Sequence, residues 1–190
     1  MKSHPQTLFF ETADEWQAWL AQNYNLEEGV LLKFAKKESG ITSLNYPGAL
    51  DVALCYGWID GQAYAIDETF YAQKFTPRRA RSIWSKRNVS KVEELLKLGK
   101  MKAPGIATVE AAKADGRWEQ AYASSANAEI PPELQTALDA NPAAKEFFET
   151  LNKTNRYSII WRVITARKPA TRAARIAKLI TMLEKQEKLH

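Results

Sequence analysis

The chain has 190 residues, 45% of them hydrophobic and 26% charged, with a formal net charge of +5. That balance is close to the globular average and excludes a disordered chain or a coiled-coil rod, and no apolar run approaches the roughly 18 residues of a membrane-spanning helix. The opening Met-Lys-Ser-His-Pro-Gln-Thr has no apolar signal-peptide core, so the expected compartment is cytoplasmic, and Cys55, His4 and His190 alone leave no material for an internal disulfide, a Cys/His metal site or a histidine-based triad within one core.

Residues 7–10 form a short β-compatible run, after which Thr12 and Glu15 have capping-box spacing. They predict a helix over 13–23 whose Trp16, Trp19 and Leu20 face the core at i, i+3 and i+4. A turn at 27–29 leads into a strand over 30–35, then polar punctuation at 36–40. Pro47 suits a helix's first turn, and Ala49, Leu50, Ala53 and Leu54 keep helical spacing up to a stop at Gly57. Residues 59–67 and 69–75 read as a hairpin turning at Asp67-Glu68.

Ser90 and Glu93 repeat the capping-box spacing and open a helix that carries Val92, Leu95 and Leu96 to a stop at Gly99. Further helices are expected from Pro104 to near Gly116, over 133–139, and from an Asn141 N-cap with Pro142 to about 151. Tyr157, Ile160, Trp161 and Ile164 then line one helical face. After Lys168-Pro169, so do Ala173, Ile176, Leu179, Ile180 and Leu183. The fold expected is α+β and predominantly α-helical, with a small antiparallel sheet in the N-terminal half packed by helices and a helical C-terminal half. It reads as a single domain over 1–190, sheet-containing over 1–76 and mainly helical over 77–190.

Charge is strongly blocked. Residues 1–73 have four basic against ten acidic residues and 74–102 have ten against two; 103–152 have three against eight and 153–190 ten against two. Clustered cations suit an anionic small molecule, a nucleic-acid backbone or an acidic protein, and they also suit pairing with the chain's own acidic blocks. In the last block Arg172, Arg175 and Lys178 recur every three residues, with Arg162 and Arg167 on the helix before. This is a basic solvated face that only weakly imitates a helix-turn-helix.

Polar and aromatic residues concentrate at Gly57-Trp58-Ile59-Asp60-Gly61 and over 76–88. Guanidinium groups supply planar donor forks for carboxylate or phosphate, and indoles supply flat faces. A cleft of Trp58, Asp60, Arg78, Arg81, Trp84, Ser85 and Asn88 is therefore the candidate ligand-binding site, with Lys113 and Arg117 as additions. The structural alternative has Asp60 pairing with one arginine, the tryptophans in the core, and Ser85 or Asn88 capping a helix. Three arginines within 78–81 exceed what one aspartate can satisfy. No catalytic pair is identified, since the geometry of Asp51, Asp60 and Asp67 is not fixed by sequence. Cys55, in an apolar helical run, reads as an inert buried thiol. No phosphate-cradling glycine loop or zinc spacing occurs, and neither a cofactor nor a metal is expected.

Several ordered motifs resemble the bacterial bacteriocin-protection, YdeI/OmpD-associated family. They are Trp16-x-x-Trp19-Leu20, Gly29-Val30-Leu31-Leu32, Lys36-Lys37, Tyr46-x-x-Ala49-Leu50-Asp51-x-Ala53-Leu54-Cys55-Tyr56-Gly57-Trp58-Ile59-Asp60-Gly61 and Phe75-Thr76-Pro77-Arg78 through Trp84-Ser85-x-x-Asn88. The resemblance continues through Gly99-Lys100-Met101, Ala112-Lys113-x-Asp115-Gly116-Arg117-Trp118 and Thr171-Arg172-x-x-Arg175-Ile176, over nearly the whole chain. It implies a part in tolerance of bacteriocins or antimicrobial peptides and an association with a porin, and it implies no reaction or cofactor. The leading expectation is an anion-binding protein of that kind. The alternatives are an enzyme acting on a carboxylate- or phosphate-bearing substrate with Asp60 as acid or base, and a nucleic-acid-binding protein using the two basic blocks. The expected partner is an anionic small molecule or an acidic protein, with nucleic acid less favoured.

Overall fold

The computed structural model describes residues 5–123 and 128–189, so His4 and His190 lie outside it. The chain divides into two compact units, 1–121 and 122–190. The change of composition near residue 76 is therefore not where the units part. Two helices beyond it bury apolar faces in the first unit's core through Val92, Leu95, Val109 and Ala112.

The first unit opens with β1 (Thr7–Phe9), α1 (Ala13–Asn23) and β2 (Val30–Ala35). The capping box read from the sequence is present, with Thr12 Oγ1 accepting from the Glu15 amide and the Glu15 carboxylate accepting from the Thr12 amide. Next come α2 (Tyr46–Cys55), β3 (Trp58–Ala65) and β4 (Phe70–Pro77), then α3 (Lys86–Lys97) and α4 (Ala103–Ala114). The sheet has the order β1-β2-β4-β3. Its three longer strands are antiparallel, as expected, and β1 joins the edge parallel to β2. The parallel addition follows from α1, since a helical crossover returns the chain in the starting direction.

One sheet face carries Val30, Leu32 and Phe34 of β2, Phe75 of β4 and Trp58 of β3, all within 2% of full burial. Trp16 and Leu20 of α1 and Leu50, Ala53 and Leu54 of α2 complete this core. The Trp16 ring lies edge-on to Trp58 at 6.1 Å and to Phe75 at 6.0 Å, and its Nε1 donates to Ala49 O at 3.1 Å. Each such indole contributes several kcal/mol, since truncation of a buried Trp costs about 3–5 kcal/mol.

α3 departs from expectation. Ser85 is its N-cap and accepts from the Asn88 amide at 3.2 Å, so Ser90 lies inside the helix and caps nothing. The buried stripe is Asn88, Val92 and Leu95, and a polar residue at its first position hides the true start from a search for apolar periodicity.

The second unit holds α5 (Pro132–Asp139), α6 (Pro142–Thr150), α7 (Lys153–Ile164) and α8 (Pro169–Glu184). Leu134, Leu138, Phe148, Ile159, Ile160, Val163, Ile176, Leu179 and Leu183 form its core. The buried face of α7 is Ile159, Ile160 and Val163, whereas Tyr157 and Trp161 of the expected face are only half-buried. The two aromatics turn instead to a separate cluster, in which the Tyr122 ring stands edge-on to Trp161 at 4.5 Å. Among the described residues no helix is long and apolar enough to cross a membrane.

Candidate functional site

The loop from Arg78 to Ser85 leaves β4 and enters α3, and two arginines fix it. The Arg78 amide donates to Gly57 O at 2.9 Å, and Arg78 Nη1 donates to Ile83 O at 3.0 Å. The guanidinium carbon of Arg78 also sits 3.7 Å from the centre of the Trp84 ring. From the other side, Arg117 Nη1 donates to Ser82 O at 3.0 Å while its Nε bridges both Asp115 oxygens at 2.8 and 2.7 Å. Arg117 is 5% exposed. Trp84 and Trp118 meet edge-on at 4.9 Å, and Lys113 Nζ lies 5.4 Å over the Trp118 ring.

The structure thus brings Arg78, Trp84, Trp118 and Lys113 into one stack, two edge-on indoles with a cation against each, while Arg117 holds the loop at Ser82 and Ser85 caps α3 beside it. Gly116, at φ +75°, makes this possible. A left-handed residue ends α4 and turns Arg117 and Trp118 back, so Lys113 and Arg117 meet the same loop without sharing a helical face. Arg78 and Arg117 act here as braces, each donating to a backbone carbonyl of the loop.

Trp58 does not join this stack. Its side chain is fully buried against Trp16 and Trp19, and Nε1 donates to Tyr24 O at 2.7 Å, so no face is open to a ligand. Asp60, two residues along the same strand face, is half-buried and accepts from the Tyr46 hydroxyl at 2.8 Å. Tyr46 is the residue the sequence reading left out. It precedes Pro47 in the first turn of α2, and its ring lies 5.9 Å from the Arg87 guanidinium in the first turn of α3. Asp60 therefore reaches α3 through Tyr46 and Arg87. Asn88 is 8% exposed on the same helix, and its backbone N–H donates to the Ser85 cap.

Arg81 is exposed, as are Arg79, Lys86 and Arg87. Among the described residues the side chains of Arg79, Arg81 and Lys86 make no hydrogen bond or ion pair. The first turn of α3 has no acidic residue. Cations at a helix N-terminus oppose the macrodipole by about 0.3–1 kcal/mol each, and the same field attracts an anion. Asp51 takes Lys91 as its partner, and Cys55 is buried with its thiol pushed up to about 11, by burial first and the Asp51 carboxylate second. The thiol is uncharged and inert near neutrality, as expected.

Burial, then the hydrogen bond to Asp60, push the Tyr46 phenol from 10.0 up to about 12. A phenol whose folded pKa exceeds its unfolded one contributes stability that is complete below pH 10 and lost as pH rises toward 12. Tyr46→Phe is accordingly expected to flatten the alkaline loss of stability over that window, read from chemical denaturation at stepped pH. An unchanged alkaline limb would show that another group causes the loss.

A family model described as domain of unknown function DUF8412 matches residues 8–108. A second, described as bacteriocin-protection, YdeI or OmpD-associated, matches residues 127–186. The first match falls inside the first unit and the second inside the second. The bacteriocin-protection match is thus narrower than the motif resemblance. Of the motifs that carried it, only Thr171-Arg172-x-x-Arg175-Ile176 lies within 127–186, while those from Trp16 to Met101 lie in the other match. No curated protein and no solved structure matches the chain.

Proposed function

The chain belongs to the DUF8412 family through residues 8–108 and carries a bacteriocin-protection, YdeI or OmpD-associated segment at 127–186, and from that premise we propose that its first unit is an anion-binding module. The site is the N-terminus of α3 with the loop before it. One observation carries the reading: Arg79, Arg81, Lys86 and Arg87 are exposed around a capped helix start that has no acidic residue in its first turn, on a loop that Arg78 and Arg117 brace. A braced loop loses little backbone entropy on binding, and its free cations favour a compact anion such as a phosphate or carboxylate. The site residues are Arg81, Ser85 and Arg87, with Arg78, Trp84, Lys113 and Arg117 as supports and the Tyr46–Asp60 pair at one flank.

The test is thermal denaturation with inorganic pyrophosphate, ADP and citrate as probes, run on the natural chain and on Arg81→Ala. Ligand at about 100 times its dissociation constant stabilises the folded state by about 2.7 kcal/mol. The expected result is a rise in midpoint with at least one probe that needs roughly tenfold more ligand in Arg81→Ala, whose own midpoint without ligand is unchanged because Arg81 is exposed. Equal affinity in the two chains would overturn the reading. The description of the family model matched by the second unit supports a role in tolerance of bacteriocins or antimicrobial peptides as part of this reading. Loss of the gene should then sensitise cells to such peptides, and Arg81→Ala should fail to restore tolerance.

A further inference from the structure

The second unit has a groove of about 800 Å³ between α7 and α8. Its floor is apolar, formed by Trp161 of α7 with Leu179 and Met182 of α8. Its rim is basic, formed by Arg162, Arg175, Lys178 and Lys185, all exposed, with Glu187 the carboxylate in the lining. Arg175, Lys178 and Met182 follow one another at i, i+3 and i+7 along α8 beside its buried Ile176, Leu179 and Leu183, and the C-cap residue Lys185 continues the stripe at i+10. Arg175 is fixed, since its Nη1 donates to Arg162 O at 2.7 Å and to Thr165 Oγ1 at 3.2 Å across the end of α7. Arg162, Lys178 and Lys185 donate no side-chain hydrogen bond and make no ion pair among the described residues.

We propose that this groove docks an acidic amphipathic helix of a partner protein. The cationic rim against one carboxylate demands negative charge on the occupant, and the apolar floor demands that it bring side chains to bury. A helix satisfies both, with leucine-like residues at i, i+3, i+4 and i+7 entering the groove and glutamates flanking them toward the rim. From Arg175 to Lys185 the stripe runs about 15 Å, the length of three helical turns. Methionine on the floor adapts to differing apolar side chains. A nucleic-acid backbone would satisfy the rim and leave the half-buried Met182 uncovered. Trp161 is also held by the Tyr122 ring at 4.5 Å, so its indole is a floor element rather than a free stacking platform.

The test uses the full chain and a fluorescein-labelled peptide of roughly 14 residues, with leucines at heptad a and d positions and glutamates elsewhere, followed by anisotropy. A scrambled peptide of the same composition and a duplex DNA of similar length are run beside it. The expected result is saturable binding of the ordered peptide and at least about tenfold weaker binding of the scrambled one, since equal charge without the apolar stripe leaves only screened attraction. Lys178→Glu with Lys185→Glu should weaken the ordered peptide about tenfold or more, and Met182→Glu should do the same from the floor, with circular dichroism melts confirming that both variants fold. Equal binding of ordered and scrambled peptides would overturn the proposal, as would an unchanged affinity in the folded double variant. DNA binding tighter than the peptide and lost in the same double variant would make the groove a nucleic-acid surface instead.

Discussion

Gly105→Ala is expected to destabilise the first unit by about 3 kcal/mol, although alanine is the better helix former by about 1 kcal/mol. Gly105 lies in the first turns of α4, where a Cβ would stand 2.1 Å from the Cys55 carbonyl oxygen and 2.7 Å from its carbon. Both are backbone atoms at the end of α2, so no rotamer change relieves the clash. The opposite side is also close: a Cβ on Gly57 would lie 2.9 Å from Pro104 O. α2 and α4 approach through two glycines, and the Lys102 amide donates to the same Cys55 oxygen at 3.0 Å. Alanine forces α4 outward, which uncovers Val109 and Ala112 and loosens the turn that carries Arg117 and Trp118. Gly99→Ala is the control. Gly99 has φ +65° and nothing near a would-be Cβ, so it should cost only the left-handed penalty of about 1 kcal/mol. Urea unfolding followed by tryptophan fluorescence reports on the first unit, which holds five of the six tryptophans. Two equal losses would mean that the α2–α4 contact is looser than its geometry.

Where a signal is local, the sequence carries it. Thr12 and Glu15 delimit α1 because both ends of the capping box lie within four residues, and β2 is legible because its burial alternates. α3 is different. Ser90 and Glu93 have the spacing of a cap without its role, and Ser85, five residues earlier, has the role without a glutamate at the matching place. The deciding factor is tertiary, since Asn88 occupies a buried position on the α3 face and a polar residue breaks the apolar period there.

The candidate site divides along the same line. The expected strand began at residue 59, whereas β3 starts at Trp58, so Trp58 and Asp60 share one sheet face, with Trp58 in the core and Asp60 half-buried. The convergence of Trp84 with Trp118, and of Ser82 with Arg117, depends on contacts 34 and 35 residues apart in the chain. The excess of arginines over aspartates left backbone carbonyls out of the inventory of acceptors. Arg78 and Arg117 use backbone carbonyls, so the surplus donors are those of Arg79 and Arg81. Tyr46 stands in the same resemblance motif as Asp60, yet nothing in local spacing predicts the hydrogen bond between them.

Arg117→Met tests whether the brace and the anion site are one device. Methionine keeps the aliphatic bulk but removes the bond to Ser82 O and the fork on Asp115, for an expected loss of about 2 kcal/mol. Asp115 is half-exposed and is rehydrated, which keeps the cost below that of a fully buried broken pair. The larger effect is expected at a distance. Ser82 follows Arg81 directly, so freeing the Ser82 carbonyl lets the loop sample more conformations, and anion affinity should fall about tenfold while the exposed cations remain in place. Arg117→Lys should recover little, because an ammonium is a point donor and cannot bridge both Asp115 oxygens while reaching Ser82. Hydrogen exchange at the amides of 82–84 separates the causes. Faster exchange together with lost affinity identifies Arg117 as a positioning residue acting through the loop. Unchanged affinity in a less stable chain would mean that Arg78 and its stack on Trp84 hold the loop alone.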